Sequence, residues 1–72
     1  MAKLDYLQKI GVRIKTLRKK RGMTQQELAF LCNFEKSNMS RIEKGKTNPT
    51  ILTLQKISKA LKVPLEDLLK SR

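Results

Sequence analysis

The sequence predicts an all-α fold of five short helices around one small core, and three observations carry that expectation. Apolar residues recur every three or four positions in successive stretches, the period that gathers a stripe on one face of a helix. Between the stretches stand residues that cap or stop helices: Gly22, Thr24, Asn33, Gly45 and Thr50. No stretch shows the alternation of a half-buried strand, and no repeat or low-complexity segment interrupts the pattern.

The first helix is expected to begin near Asp5, whose carboxylate suits an N-terminus, and to stop at Gly22. Leu7, Ile10, Ile14 and Leu17 share its inner face. Arg18, Lys19, Lys20 and Arg21 crowd its last turn, where cations complement the helix dipole; Lys19 and Lys20 read as solvated there. The second helix opens at Thr24, because Thr followed three residues later by Glu27 is a capping box. It runs from about Gln25 to Cys32, with Leu28, Ala29 and Cys32 inward. Asn33 then serves a tight turn that needs a left-handed residue. A third helix runs from about Lys36 to Lys44, with Met39 and Ile42 inward, and closes at Gly45. Lys46 to Pro49 form a loop. Thr50 caps a fourth helix with Ile51, Leu54, Ile57 and Leu61 on one face. Pro64 suits the first position of a last short helix bearing Leu65, Leu68 and Leu69.

Composition narrows the function. The 72 residues make one small domain, in which seventeen Lys and Arg stand against six acids for a net charge of +11. A chain this short buries only about 60% of its unfolded surface, so dimerisation would add stability. The charge calls for a polyanion or an anionic membrane, while 39% hydrophobic content at regular spacing argues against disorder. No apolar run is long enough to span a membrane, and the N-terminus lacks the apolar core of a signal peptide. Cys32 is the one cysteine and suits a reducing cytoplasm as core filler. Without histidine, no zinc ligand set and no Ser–His or Cys–His pair can form, so neither a metal cofactor nor catalysis is expected. Two short helices joined by a brief turn, in so basic a chain, read as a helix-turn-helix over about residues 24–44. Double-stranded DNA is then the expected partner.

With these pieces in order, the sequence resembles the lambda-repressor/Cro (Xre-like) helix-turn-helix family. The resemblance rests on Ile14-x-x-Leu17-Arg18, Thr24-Gln25-x-x-Leu28-Ala29, Ile42-Glu43-x-Gly45 and Leu54-x-x-Ile57-x-x-Ala60-Leu61-x-Val63, and extends from Ile10 to Leu69. It implies a compact five-helix lambda-repressor-like domain that binds operator DNA as a two-fold homodimer and regulates transcription. Carried over by position, it implies base contacts from Lys36, Ser37, Asn38 and Arg41. It implies phosphate contacts from Gln25 at a helix N-terminus and from Lys46, Thr47 and Asn48 in the following loop. The residue chemistry agrees: Lys and Arg donate to guanine, Asn pairs with adenine, and a helix N-terminus attracts phosphate. The resemblance also pairs Arg18 with Glu43 as a structural ion pair and assigns a dimer interface to Val63, Leu65 and Leu69.

Two departures from the family pattern stand out. Glu35 holds the cap position of the third helix, where Ser or Thr is usual; simple capping is the reading preferred over a contact with a cytosine amino group. Phe30 replaces a polar residue and is either covered by Leu4, Tyr6 or Leu7 or left exposed. The expected function is a dimeric, sequence-specific transcription regulator in the cytoplasm, of the restriction-modification controller or phage-repressor kind, with no small-molecule ligand. The alternative is an antitoxin, disfavoured because the chain ends at Arg72, close behind its last helix. A basic amphipathic protein on an anionic membrane is disfavoured because the apolar stripes satisfy one another.

Overall fold

The computed structural model describes residues 2–70, with side chains from residue 6 onward. In chain order the helices are α1 (Ala2–Lys20), α2 (Gln25–Cys32), α3 (Lys36–Glu43), α4 (Ile51–Leu61) and α5 (Leu65–Leu69). All regular structure among the described residues is helical. α2 packs on α3 and α4, α1 lies across α3, α4 and α5, and α5 folds back against α4.

The core takes residues from all five helices: Ile10, Ile14 and Leu17, then Leu28, Ala29 and Cys32, then Met39 and Ile42, then Leu54, Ile57 and Leu61, and finally Leu68. Each set keeps the spacing of three or four that places apolar side chains on one helical face. Burial pushes the Cys32 thiol up, with the Lys56 ammonium pulling partly against it. It is packed as filler and is a poor nucleophile.

Four helix ends share one stop. Gly22, Asn33, Gly45 and Lys62 each adopt a left-handed backbone, with φ of 70°, 61°, 72° and 59°. After each, the next N–H reaches back five residues: Met23 to Arg18 at 3.1 Å, Phe34 to Ala29 at 2.8 Å, Lys46 to Arg41 at 2.9 Å and Val63 to Ser58 at 3.0 Å. This Schellman closure satisfies carbonyls that the helix itself leaves open. Glycine and asparagine were legible as stops; Lys62 was not, because a lysine carries no such preference.

The sequence expectations need correction at several ends. α1 begins at Ala2 rather than near Asp5, since the intervening Lys and Leu are good helix formers and nothing breaks the helix. α3 ends at Glu43, with Lys44 as its C-cap. Pro64 is the N-cap of α5 and not its first helical residue, its ψ of 152° being extended. Ile51, expected on the inner face of α4, is 59% exposed, because the first turn of α4 overhangs the core that Leu54, Ile57 and Leu61 enter. Glu35 is the N-cap of α3, but its side chain makes no capping hydrogen bond. A Glu carboxylate sits one methylene further out than the Asp or Ser oxygen that reaches the first turn.

Candidate nucleic-acid interface

A capping box, one ion pair and two close backbone approaches hold α2 and α3 in place. Thr24 Oγ1 accepts from the Glu27 N–H at 3.0 Å, and Glu27 Oε1 accepts from the Thr24 N–H at 2.8 Å, which completes the capping box. The reciprocal bonds define where α2 begins and leave Gln25 at its first position.

Arg18 is 6% exposed and so is Glu43. Arg18 Nε donates to Glu43 Oε2 at 2.7 Å and Arg18 Nη2 to Glu43 Oε1 at 3.1 Å, a bidentate fork between α1 and α3. Arg18 Nη1 also donates to the Met23 carbonyl at 2.7 Å, tying down the turn that leads into α2. Gln25 Nε2 donates to Glu43 Oε1 at 2.9 Å. One carboxylate therefore gathers α1, the start of α2 and the end of α3. Every buried side-chain polar atom among the described residues has a hydrogen-bond partner, the condition under which a buried charged cluster is tolerated.

Glycines bring the same helices together more closely than side chains would allow. A Cβ on Gly11 would collide with the Glu43 carbonyl, and one on Gly45 would stand 2.7 Å from Gln8 Cα. The C-terminal end of α3 is thus laid directly on the backbone of α1. Gly11 and the third partner, Gln25, escaped the reading of the sequence. A glycine inside an otherwise regular helix was the signal for the first; no local signal exists for the second.

The candidate contact residues lie about two open grooves, with Gln25 and Thr47 half-buried and the others exposed. Lys36, Ser37, Asn38 and Arg41 are exposed on the outer side of α3. Arg41 Nη1 donates to Asn38 Oδ1 at 3.0 Å, which sets the two head groups side by side. Asn38 and Arg41 share a cleft with Thr47 and Asn48 of the α3–α4 loop, floored by Phe34, Ile42 and Pro49. Gln25 and Lys36 border the adjoining groove together with Lys19, so Lys19 joins a set from which the sequence reading had left it out. Lys46 is exposed beside Gly45. Glu35 is exposed at the head of α3.

Elsewhere the assignments separate. Val63, Leu65 and Leu69 are half-buried and pack against the margin of the core at the α4–α5 corner. Phe30 is 82% exposed, which resolves the choice left by the sequence: neither Tyr6 nor Leu7 covers it, and the Leu4 side chain lies outside the described residues. No group of three or more His, Cys, Asp or Glu that could hold a metal occurs among the described residues. Among the described residues no helix is long and apolar enough to cross a membrane.

Two short helices joined at Asn33, the second presenting a polar outer face and both fixed to a five-helix core, define a helix-turn-helix protein. The helix-turn-helix family model matches residues 14–68, and the chain belongs to that family, whose members are DNA-binding transcription regulators of the Xre/lambda-repressor-like kind and not enzymes. It is 44% identical over 61 residues to the transcriptional regulator SinR of Bacillus subtilis, covering 83% of this chain and 55% of SinR. It is 40% identical over 60 residues to control protein C.BamHI of Bacillus amyloliquefaciens, covering 82% of this chain and 74% of that one. Among solved structures, the restriction-modification controller C.AhdI from Aeromonas hydrophila superposes with a TM-score of 0.84 at 32% identity, covering 86% of this chain and 94% of that one. SinR in complex with DNA superposes with a TM-score of 0.79 at 44% identity, covering 85% and 98%.

Proposed function

We propose that this transcription regulator binds DNA sequence-specifically, as a homodimer on a palindromic operator. The observation that carries the reading is the strip on which Asn38, Arg41, Thr47 and Asn48 share one cleft while Gln25 and Lys36 border the next. A strip of that composition suits a duplex. Lys36, Ser37, Asn38 and Arg41 enter the major groove and read bases, while Gln25, Lys46, Thr47 and Asn48 hold phosphates on either side. The net charge of +11 supplies the sequence-independent attraction.

One such domain reads only a few base pairs, and a two-fold partner doubles the contacts on a palindrome. Val63, Leu65 and Leu69, half-buried at the α4–α5 corner, form the dimer interface. The five helices act as a single DNA-binding domain in the cytoplasm. Similarity to C.AhdI and C.BamHI supports a restriction-modification controller, and similarity to SinR supports a repressor.

Selection of bound sites from random DNA, followed by sedimentation of the complexes, tests the proposal. Palindromic sites with half-sites about one helical turn apart, each carrying two protomers, are expected. Affinity should fall on the order of 10³–10⁵ between about 50 and 200 mM salt for a dimer neutralising roughly 6–10 phosphates. Leu69→Glu should weaken dimerisation and operator binding together while the circular-dichroism spectrum stays helical. Asymmetric sites, a flat salt curve, or a Leu69→Glu variant that sediments as the parent does would each overturn the corresponding part.

A further inference from the structure

On the side of α2 turned away from the core, two large apolar side chains stand exposed beside the polar Gln26 and Glu27. Phe30 is 82% exposed and Leu31 57%; Phe30 lies opposite the Leu28, Ala29 and Cys32 face that enters the core, and Leu31 lies to one side of it. Leu31 borders an open groove whose far wall is α4, with Ala60 at its floor and Lys56, Lys59 and Lys62 along it. On the other side, Phe30 and Leu31 border a second groove with Gln26 and Glu27 of α2 and Arg21 and Met23 of the α1–α2 turn. The two grooves meet at Leu31. An apolar strip therefore runs between three lysines on one flank and Arg21 with Glu27 on the other.

The charge around the strip is mainly positive, with Lys56, Lys59, Lys62 and Arg21 against Glu27. Arg21 Nη2 donates to the Lys62 carbonyl at 3.3 Å, which closes the rim where the two flanks converge. Lys56 also stands 5.8 Å from the centre of the Phe34 ring. The acid on this face, Glu27, is turned toward the backbone of its own helix as half of the capping box. Phe30 lies about 140° around α2 from Gln25, so the strip faces away from the side chain that bonds Glu43 at the α1–α3 junction.

Three kinds of occupant meet this surface differently. Nucleic acid would use the cations but leave phenyl and isobutyl groups in water, because phosphates offer no apolar contact. A second copy of this chain would bring two cationic rims together, which is unfavourable. A helix with apolar side chains on one face and carboxylates beside them satisfies both features at once. We propose that the α2–α4 face docks an acidic amphipathic helix of another protein. Its apolar residues pack on Phe30, Leu31 and Ala60, and its carboxylates meet Lys59, Lys62 and Arg21. The assignment rests on this face alone and stands whether or not the DNA contacts are as proposed above.

The test is a ¹H–¹⁵N titration of the full chain with a synthetic acidic amphipathic peptide carrying Leu and Phe on one helical face and Glu on the other. Three control ligands run beside it: the same residues shuffled to destroy the amphipathic order, polyglutamate, and phosphatidylglycerol vesicles. Shifts are expected at residues 30–33 and 56–62, with Phe30→Ser weakening the peptide about tenfold. Phe30→Ser should melt as the parent does and shift DNA in a gel as the parent does. Equal binding by the shuffled peptide or polyglutamate would overturn the proposal, since charge alone would then explain it. So would shifts centred on residues 36–41 and 46–48, tighter binding to the vesicles, self-association that Phe30→Ser abolishes, or no shift at about millimolar peptide.

Discussion

The inner face of α3 buries Met39, Ile42 and Glu43, while the outer face exposes Lys36, Ser37, Asn38 and Arg41. On the inner face each atom is spoken for: Glu43 accepts three hydrogen bonds, and its carbonyl lies where Gly11 leaves room. On the outer face the contact between side chains is the 3.0 Å bond from Arg41 to Asn38. The difference shows how one helix serves two demands. Its orientation is fixed from behind by packing and charge, so its front can carry polar residues that contribute little to stability. Changes behind should unfold the domain, and changes in front should alter what it reads.

Breaking that division should be hardest at Glu43. Glu43→Ala leaves the Arg18 guanidinium buried without its carboxylate and removes the acceptor of Gln25, so a loss of ~3–5 kcal/mol is expected in urea unfolding. Arg18→Met with Glu43→Leu should recover much of it, because no lone charge remains. Lys20→Ala, exposed on α1, should stay within about 0.5 kcal/mol. Additive losses in the double variant would mean that the pair is not the link between α1 and α3.

Gly11→Ala tests the same junction without touching charge. Its Cβ meets backbone rather than a side chain that could swing aside, so α3 must shift, at about 1–3 kcal/mol of overpacking. Gly22→Ala sharpens the contrast: nothing lies within 4 Å of its Cβ, leaving only the left-handed backbone to penalise, by ~1 kcal/mol. Equal effects at the two glycines would argue against a close approach at Gly11.

The front of α3 should respond in binding and not in folding. Arg41→Ala should leave the unfolding midpoint unchanged, yet cost ~1–3 kcal/mol on the selected site and relax base preference there. Gln25→Ala should weaken selected and random DNA alike, as loss of a phosphate contact does, and, unlike Arg41→Ala, should also lower stability by ~1 kcal/mol because its amide bonds Glu43. A uniform loss from both variants would erase the division between base reading and phosphate holding. Apart from the Lys20→Ala control, the smallest effect expected is a gain. Lys62→Gly relieves a left-handed lysine and should raise stability by ~0.5–1 kcal/mol by thermal unfolding, since only the backbone conformation is eased.

Local signals were the legible ones. The capping box at Thr24 and Glu27, the stops at Gly22, Asn33 and Gly45, and the stripes that fill the core all act over a few residues. Each can be read from spacing, because a helix repeats every 3.6 residues and a cap reaches one turn. Bulk charge likewise needs no structure. These features determined the all-α class, the five helices and the polar outer face of α3.

Tertiary structure decided the rest. Whether Ile51 is buried depends on where the first turn of α4 ends relative to the core, and a stripe alone cannot tell overhang from contact. Phe30 has the same helical surroundings whether covered or bare; its exposure follows from which helices fail to reach it. Lys62 is left-handed because α5 must turn back onto α4, a demand from outside its own segment. Gln25, Arg18 and Glu43 converge across 25 residues of chain, and Gly11 is needed only once α3 lies on it. The sequence determined what each segment can form within one turn of helix. Packing determined which side chains meet, because meeting depends on the relative placement of helices that no single segment encodes.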